Sequence, residues 1–244
     1  MRPQNFNALK EEYFKWYSPT LSMDIEMMVY GHWGKPVVIF PTTLGRYYEA
    51  KDFKLIDSIS WFIENGLIKV YCPDGINNHS WYNKQIHPSM RVKNHTYYDQ
   101  FIADEIIEKI KHESTNQKVM VAGCSFGGFT AANFAFKYPY YVSDLISMSG
   151  SFDIKSFMDG YYDNNVYFNN PVDYLPNADH HDLWNLGIIL GTSDWDICKD
   201  SNFQMSQILG NKNMQHWLDV YPDSVHDWPL WRDMFPKYLG RILN

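Results

Sequence analysis

Residues 118–139, KVMVAGCSFGGFTAANFAFKYP, place one serine between glycines where an apolar run passes into a helix-like segment. The run 123–127, GCSFG, fits the pattern G-x-S-x-G, and Gly128 adds a further glycine. A strand that turns abruptly into a helix strains the residue at the turn and leaves no room for side chains two positions away. The stretch therefore predicts a strand, a tight turn and a helix, with the Ser125 hydroxyl held at the carboxyl end of a sheet.

Three other interpretations compete with a nucleophilic serine. G-x-S-x-G occurs by chance in many chains, although the strand before it and the helix after it are the context that the pattern requires. A phosphate-binding loop is disfavoured because neither G-x-x-x-x-G-K-[ST] nor G-x-G-x-x-G is present. Cys124 is a reactive group only if it faces substrate, and neighbouring side chains on such a turn point in opposite directions. We therefore expect this thiol in the core.

Apolar runs alternate with segments of helical period along most of the chain. Strands are predicted at 23–31, 36–41, 67–72, 118–123, 144–150, 185–191 and 216–222. Helices are predicted at 57–66, at 96–114, after Ser125, around 200–210 and from about 228. This alternation predicts one α/β domain over residues 1–244, with a mainly parallel, doubly wound sheet and helices on both faces. Residues 151–184 follow neither period and are expected to form an irregular excursion.

Length and composition are consistent with that domain. A chain of 244 residues suits a single α/β unit with one large core. Hydrophobic residues make up 45% and aromatic residues 17% of the chain, which excludes a disordered protein and indicates a cleft or interface lined with rings.

Charge and hydropathy limit the partners. The chain carries 21 Lys and Arg against 28 Asp and Glu and has no basic cluster, which argues against nucleic acid. The N-terminal residues lack the apolar core of a secretory signal, and no stretch approaches the roughly 20 apolar residues of a membrane span. We expect a cytoplasmic protein without a membrane partner, and a homo-oligomer stays open. Cys72, Cys124 and Cys198 lack metal-ligand spacing, so reduced, buried thiols are expected rather than a disulfide or zinc site.

A serine hydroxyl is a weak nucleophile near neutral pH, so the hypothesis requires a histidine as base and a carboxylate to orient it. Hydrolases with this kind of turn carry these groups in the chain order serine, acid, histidine. His226 stands in a polar turn after the last predicted strand and before the closing helix, where the mechanism requires the base. The other histidines precede Ser125 or the end of that strand: His32, His79, His87, His95, His112, His180, His181 and His216.

Two aspartates compete for the role of the acid. The predicted strand at 185–191 continues into TSDWDICKD, which offers Asp194 and Asp196. Their side chains point in different directions, so one orients the histidine while the other caps a helix or faces solvent. Asp196 is slightly favoured because it adjoins the predicted helix start, with Ile197 and Cys198 expected to pack inward.

Two backbone amides are needed to hold a negatively charged oxygen. One is the amide of Phe126, at the N-terminus of the predicted helix. The second is expected from the loop 41–45, PTTLG, with Thr43 or Leu44 as the donor. This loop departs from the HGGG-type pattern, and an ordinary strand-to-helix loop is the other interpretation.

Across nearly its whole length the chain resembles the esterase family that includes S-formylglutathione hydrolase (esterase D), feruloyl esterase domains and the mycolyltransferase antigens. The segments that carry the resemblance stand in the family's order: VYGHWGKPVVIFPTTLGRYYE, HPSMRVKNHTYYDQFIADEII, VAGCSFGGFTAANFAFKYPYYVSDLISMSGSFDI, YFNNPVDYLP, GTSDWDICKD and VHDWPLWRDMFPKYL. The resemblance implies an α/β-hydrolase fold, Ser125 as nucleophile, His226 as base and an aspartate at 194–196 as acid.

The resulting hypothesis is hydrolysis of a small-molecule carboxylic ester through an acyl-enzyme intermediate, without a metal or organic cofactor. Two alternatives stay open, because one scaffold hosts several chemistries. One is acyl transfer to a sugar or alcohol, and the other is a non-catalytic binder of a carbohydrate or acyl ligand. The aromatic-rich segments 80–87 and 160–170 are candidates for the acyl or alcohol pocket, or for simple packing or a subunit contact.

Overall fold

An eight-stranded sheet runs through the centre of the protein. The computed structural model describes residues 9–243. The strands are β1 Glu11–Ser18, β2 Met23–Tyr30, β3 Lys35–Phe40, β4 Ile68–Pro73, β5 Val119–Cys124, β6 Val142–Met148, β7 Gly187–Trp195 and β8 Trp217–Val225. They lie in the order β1-β2-β4-β3-β5-β6-β7-β8. β1 and β2 pair antiparallel with each other and β2 pairs antiparallel with β4, while all pairs from β4 to β8 are parallel.

The helices fall between the strands and after the last one. The α-helices are α1 Glu49–Asp52, α2 Leu55–Ser58, α3 Ser60–Glu64, α4 Pro88–Phe101, α5 Glu108–Glu113, α6 Phe126–Lys137, α7 Asn164–Tyr167, α8 Pro171–Tyr174, α9 Lys199–Asn211 and α10 Trp228–Leu243. A π-helical stretch, Ile102–Ile107, joins α4 to α5, and 3-10 helices occur at Lys155–Phe157, Leu175–Asn177 and His181–Asn185. None of the helices within residues 9–243 combines the length and apolar character that a membrane span requires.

Both faces of the sheet are covered. Alternate residues of β3 point to opposite faces, so Val38 and Phe40 join one core while Val37 and Ile39 join the other. Helices α4, α5, α6 and α9 pack on the first face, and α1 to α3 with α10 pack on the second. The predicted doubly wound α/β architecture is confirmed.

Strands β3 and β5 mark the point where the chain reverses its direction across the sheet. They are neighbours, but β3 leads to β4 on one side and β5 leads to β6 on the other. Such a switch point opens a crevice at the carboxyl ends of the two strands. The loop after β3 and the turn after β5 therefore meet at one place.

Three local features differ from the sequence expectations. β1 was not predicted, because it is an edge strand whose alternate residues stay exposed and which carries three charged residues. The helix expected at 57–66 is two short helices, interrupted at Ile59, where φ is −114°. The helix expected at 96–114 begins earlier, at Pro88, with His87 capping its first turn, and contains the π-helical stretch.

The excursion at 151–184 consists of short helices rather than strands. A buried polar cluster ties it to the sheet-covering helices: the Lys137 ammonium of α6 lies 2.7 Å from Asp99 of α4 and 2.8 Å from the side-chain oxygen of Asn169. Asp99 and Asn169 are both almost fully buried, so the pairing is shielded from solvent. The excursion is thereby fixed over the helix that follows Ser125.

Candidate active site

Ser125 stands alone between the end of β5 and the start of α6. Its backbone has φ 54° and ψ −121°, a strained conformation for a residue with a side chain. A Cβ atom at Gly123 would lie 2.2 Å from the carbonyl carbon of Gly127, and one at Gly127 would lie 2.4 Å from the carbonyl oxygen of Phe40. Glycine is therefore sterically required at both positions, and the turn packs directly against the end of β3.

His226 follows β8 and reaches both of the other candidate residues. Its Nε2 lies 2.9 Å from Ser125 Oγ, and its Nδ1 lies 2.7 Å from Asp196 Oδ1. In the neutral ring Nδ1–H donates to Asp196, and Nε2 accepts the hydroxyl proton of Ser125. Three side chains from the ends of β5, β7 and β8 thus form one hydrogen-bonded row.

The two aspartates are in different environments. Asp196 is 6% exposed, and its Oδ1 also accepts a 2.7 Å hydrogen bond from the amide of Cys198. Asp194 is exposed and lies 3.4 Å from the ammonium of Lys199, away from His226. Ile197, which we expected to pack inward, is 84% exposed. In this turn Asp196 is buried, while Trp195 and Ile197 on either side of it are exposed.

The pairing shifts the pKa values of both partners. Burial disfavours the ionised form of Asp196, but hydrogen bonds from His226, from Ser149 and from the Cys198 amide outweigh it and hold its pKa below the usual value. Burial likewise disfavours a charged imidazole, yet the hydrogen bond to Asp196, with a contribution from the Cys198 thiol, raises the pKa of His226 to about 9. The pair therefore favours an imidazolium beside a carboxylate, the charge distribution that proton abstraction from serine creates.

Ser149 and Trp231, which belong to no sequence motif, lie next to the hydrogen-bonded side chains of Asp196 and His226. Trp231 Nε1 donates a 2.9 Å hydrogen bond to Ser149 Oγ, and the Ser149 hydroxyl helps to lower the pKa of the Asp196 carboxylate. The Trp231 ring also stands edge-on to His226, with centroids 5.1 Å apart. Sequence reasoning missed both residues, and the only local trace was a serine at the end of a predicted strand.

Three candidate amides lie around the crevice. Phe126 is the first residue of α6, so its N–H has no acceptor within the helix. In the loop after β3, the amides of Thr43 and Leu44 have no hydrogen-bond acceptor among residues 9–243. Leu44 adopts a positive φ of 56°. Both expected donors of this loop are therefore free to bind an oxygen.

Hydrogen bonds and an ion pair hold the loop after β3 in place. Glu49 accepts hydrogen bonds from the amide of Thr42 at 2.8 Å and from its hydroxyl at 2.7 Å. Burial raises the pKa of Glu49. Arg46 Nε lies 2.6 Å from Asp74, which also accepts from the amide of Tyr47. These contacts fix the loop on both sides of the two free amides.

The residues of the two aromatic segments predicted to line a pocket have different surroundings. In the segment 80–87, Tyr82 packs on the ring of Phe126 with centroids 6.1 Å apart, and its hydroxyl lies 3.4 Å from Thr43 Oγ1. Trp81 is fully buried and belongs to the core. In the segment 160–170, Phe168 is 57% exposed. Tyr82 therefore borders the crevice, whereas Trp81 packs internally.

The cysteines behave differently from one another. Cys72 and Cys124 are buried, and burial raises the pKa of both thiols, so neither is a reactive group. The expectation of a buried thiol is wrong for Cys198, which is only half-buried. It lies where the chain leaves β7 and turns into α9, beside His226.

One family model and several solved structures are similar to this chain. The model of the family described as "Putative esterase" matches residues 63–242, about three-quarters of the chain. No curated protein sequence matches this chain. Among solved structures, a ferulic acid esterase is 18% identical, with 96% of this chain and 99% of that chain covered and a TM-score of 0.77.

Two S-formylglutathione hydrolases are also similar in structure. The enzyme from Staphylococcus aureus is 14% identical, with 98% of this chain and 100% of that chain covered and a TM-score of 0.70. The enzyme from Agrobacterium tumefaciens is 13% identical, with 96% and 95% covered and a TM-score of 0.76. At these identities the likeness shows the fold alone, which is that of the α/β-hydrolases.

Proposed function

The chain belongs to the putative esterase family and is a hydrolase of carboxylic esters; from this premise we propose that Ser125, His226 and Asp196 form its catalytic triad. The observation that carries the proposal is the continuous row of hydrogen bonds, 2.9 Å from Ser125 to His226 and 2.7 Å from His226 to Asp196. Triads are recognised by such geometry and chain order rather than by sequence position. Asp196 is proposed as the acid rather than Asp194, because Asp194 is turned toward Lys199.

In the first half of the reaction Ser125 Oγ attacks the carbonyl carbon of the ester. His226 Nε2 takes the hydroxyl proton, and Asp196 stabilises the imidazolium that forms. The carbonyl oxygen becomes an oxyanion and is held by the amide of Phe126 and by the amide of Thr43 or Leu44. Each such donor is typically worth ~10²–10³ in rate. The imidazolium then protonates the leaving alkoxide, and the acyl group stays on Ser125.

In the second half water takes the place of the alcohol. His226 removes a proton from water, the resulting hydroxide attacks the acyl carbon, and the acid leaves as Ser125 regains its proton. The site itself supplies base, acid and oxyanion donors, so the proposed cycle uses only side chains and amides of this chain. The substrate is proposed to be a small-molecule ester whose acyl or alcohol part contacts Tyr82.

The test is hydrolysis of p-nitrophenyl acetate combined with labelling by a fluorophosphonate probe. Ser125→Ala is expected to abolish both. The chain offers a matched control, because Ser206 Oγ lies 2.7 Å from His216 Nε2 in a second serine–histidine pair. That pair lacks a carboxylate, since His216 Nδ1 faces the carbonyl oxygen of Met214 at 2.9 Å. Ser206→Ala should retain labelling and hydrolysis.

The same experiment separates the alternative functions. An unlabelled and inactive protein would support a non-catalytic binder and contradict the triad. Loss of labelling in Ser206→Ala, with labelling of Ser125→Ala unchanged, would show that Ser125 is not the nucleophile. Product analysis with added sugar or alcohol acceptors distinguishes the enzymes: a hydrolase releases free acid, and an acyltransferase forms a new ester.

A further inference from the structure

The thiol of Cys198 lies beside the imidazole of His226. One ligating atom each from Asp196, Cys198 and His226 lies within 4.8 Å of the other two. We call these three residues the acid–thiol–imidazole cluster. Two of its members stand two residues apart in the turn after β7, and the third comes from the turn after β8. Sequence spacing therefore contained no metal motif.

The donor set of the cluster has a definite preference among cations. Thiolate, imidazole and carboxylate are the ligands that bind Zn²⁺, at about 2.0–2.3 Å from the metal, whereas Mg²⁺ takes oxygen ligands almost exclusively. Donors at such distances in a tetrahedral site stand roughly 3.5 Å from one another, the same order as the separations in the cluster. Among residues 9–243 this is the group of three such donors whose ligating atoms meet.

The cluster lies at the edge of the buried interior. Cys198 and His226 are half-buried, and Asp196 is almost fully buried. The carboxylate is already ionised, because its hydrogen bonds hold its pKa below the usual value. A cation entering along the thiol would meet a second negative charge at Asp196, which favours its binding over that at a lone surface cysteine.

We propose that the acid–thiol–imidazole cluster binds one soft divalent cation of the Zn²⁺ class, and that binding reversibly inhibits the enzyme. A neutral imidazole has a single in-plane lone pair, so a metal bound at either ring nitrogen of His226 removes the base. A bound metal needs a thiolate at Cys198 and a neutral ring at His226, so binding releases the thiol proton and the imidazolium proton to solvent, and affinity rises with pH. The inhibitory half of this inference rests on the proposed function, and the binding half does not.

Binding is tested directly with Cd²⁺ and Zn²⁺ on the full chain after treatment with a chelator. Cd²⁺ is expected to produce the ultraviolet charge-transfer absorption of a Cd²⁺–thiolate bond, saturating at one cation per chain. Cys198→Ser keeps the backbone amide that Asp196 accepts and removes the sulfur, so it should lose this absorption. Absence of the band in the unmodified protein, or its persistence in Cys198→Ser, would overturn the site.

Inhibition is tested with Zn²⁺ titrations of p-nitrophenyl acetate hydrolysis, each variant being compared with its own metal-free rate. Loss of one ligand should weaken Zn²⁺ inhibition by about 10-fold or more, since even outer partners of metal sites are typically worth 10–100-fold in affinity. Cys198→Ser should show this weakening, Mg²⁺ should leave the rate unchanged, and a chelator should restore it.

The matched control is His181→Asn, which removes a histidine whose side chain is 83% exposed and which represents adventitious binding at a surface imidazole. It should be inhibited as strongly as the unmodified enzyme. Equal inhibition of Cys198→Ser and the unmodified enzyme, or relief of inhibition by His181→Asn alone, would overturn the inference. If the triad proposal failed, the Cd²⁺ band and its stoichiometry would still decide whether the cluster binds metal.

Discussion

The Nδ1 atom of His226 lies 2.7 Å from the Oδ1 atom of Asp196, although the two residues are 30 positions apart in the chain. Asp196→Asn removes the negative charge that stabilises the imidazolium. Its amide N–H can also donate to Nδ1 of His226, which places the ring proton on Nε2, the wrong nitrogen for a base. We expect kcat to fall about 10⁴-fold, the size of the same change in another triad. Asp194→Asn serves as the control, because the exposed carboxylate of Asp194 pairs with Lys199, and kcat should stay within about two-fold. Comparable losses in the two variants would contradict the assignment of the acid.

The pH dependence follows from the raised pKa of His226. The free base is the active form, so kcat/KM should rise with pH, be half-maximal near the pKa of about 9 and level off above it, whereas the ordinary pKa of His is near 6.5. Asp196→Asn removes the hydrogen bond that raises this pKa, so the rising limb should move to lower pH while the rate falls. A limb centred at or below pH 6.5 in the unmodified enzyme would contradict the coupling of the two residues.

Trp231 is expected to act as a positioning residue through Ser149. Trp231→Phe keeps a ring against His226 but removes the 2.9 Å hydrogen bond to Ser149 Oγ, which frees that hydroxyl to rotate away from Asp196. Loss of one buried hydrogen bond costs about 0.5–1.5 kcal/mol, so a few-fold to about 10-fold drop in kcat with little change in KM is expected. The rising limb of the pH profile should shift in Trp231→Phe. It should shift in the same direction in Ser149→Ala, because both changes remove the hydrogen bond between Trp231 and Ser149. A change in KM alone, with kcat and the pH profile unmoved, would argue for a merely structural role.

The packing of the nucleophile turn is tested by thermal unfolding of two glycine variants. In Gly127→Ala the new Cβ would lie 2.4 Å from the carbonyl oxygen of Phe40 and 2.8 Å from that of Pro41, so the backbone has to move. Overpacking of this kind typically costs about 1–3 kcal/mol, and the displaced turn should also lower kcat. Gly210→Ala, in α9, meets nothing within 4 Å and is expected to be neutral or to stabilise by up to about 1 kcal/mol. Equal stability of the two variants would contradict a tightly packed turn.

The parts of the site that could be predicted from sequence follow from local sterics and chain order. The glycines around Ser125 are required by backbone contacts within the turn, so their spacing identifies it. His226 was identifiable because a parallel sheet brings the ends of successive strands to one edge. The same logic led to the crevice, since the loop containing Thr43 follows the strand next to β5.

Other parts depend on contacts that leave no pattern. Asp194 and Asp196 are only two positions apart in the sequence, and the backbone of the turn decides which of them faces inward. Ser149 and Trp231 are 82 residues apart and meet only in the folded chain. Cys198 is half-buried because α9 begins beside it, which periodicity does not reveal. Edge strand β1 was missed for a related reason, because its polar residues lie at positions that a central strand would bury.

The central claim is that the acyl group of the substrate is carried by Ser125, and trapping that intermediate tests it most directly. The enzyme is mixed with excess p-nitrophenyl ester, quenched in acid within the burst phase, digested and analysed by mass spectrometry. The acyl group should be found on the peptide that contains Ser125, in an amount equal to the burst of p-nitrophenol, and Ser125→Ala should show neither. An acyl group found on another residue, or turnover by Ser125→Ala at the unmodified rate, would contradict the account.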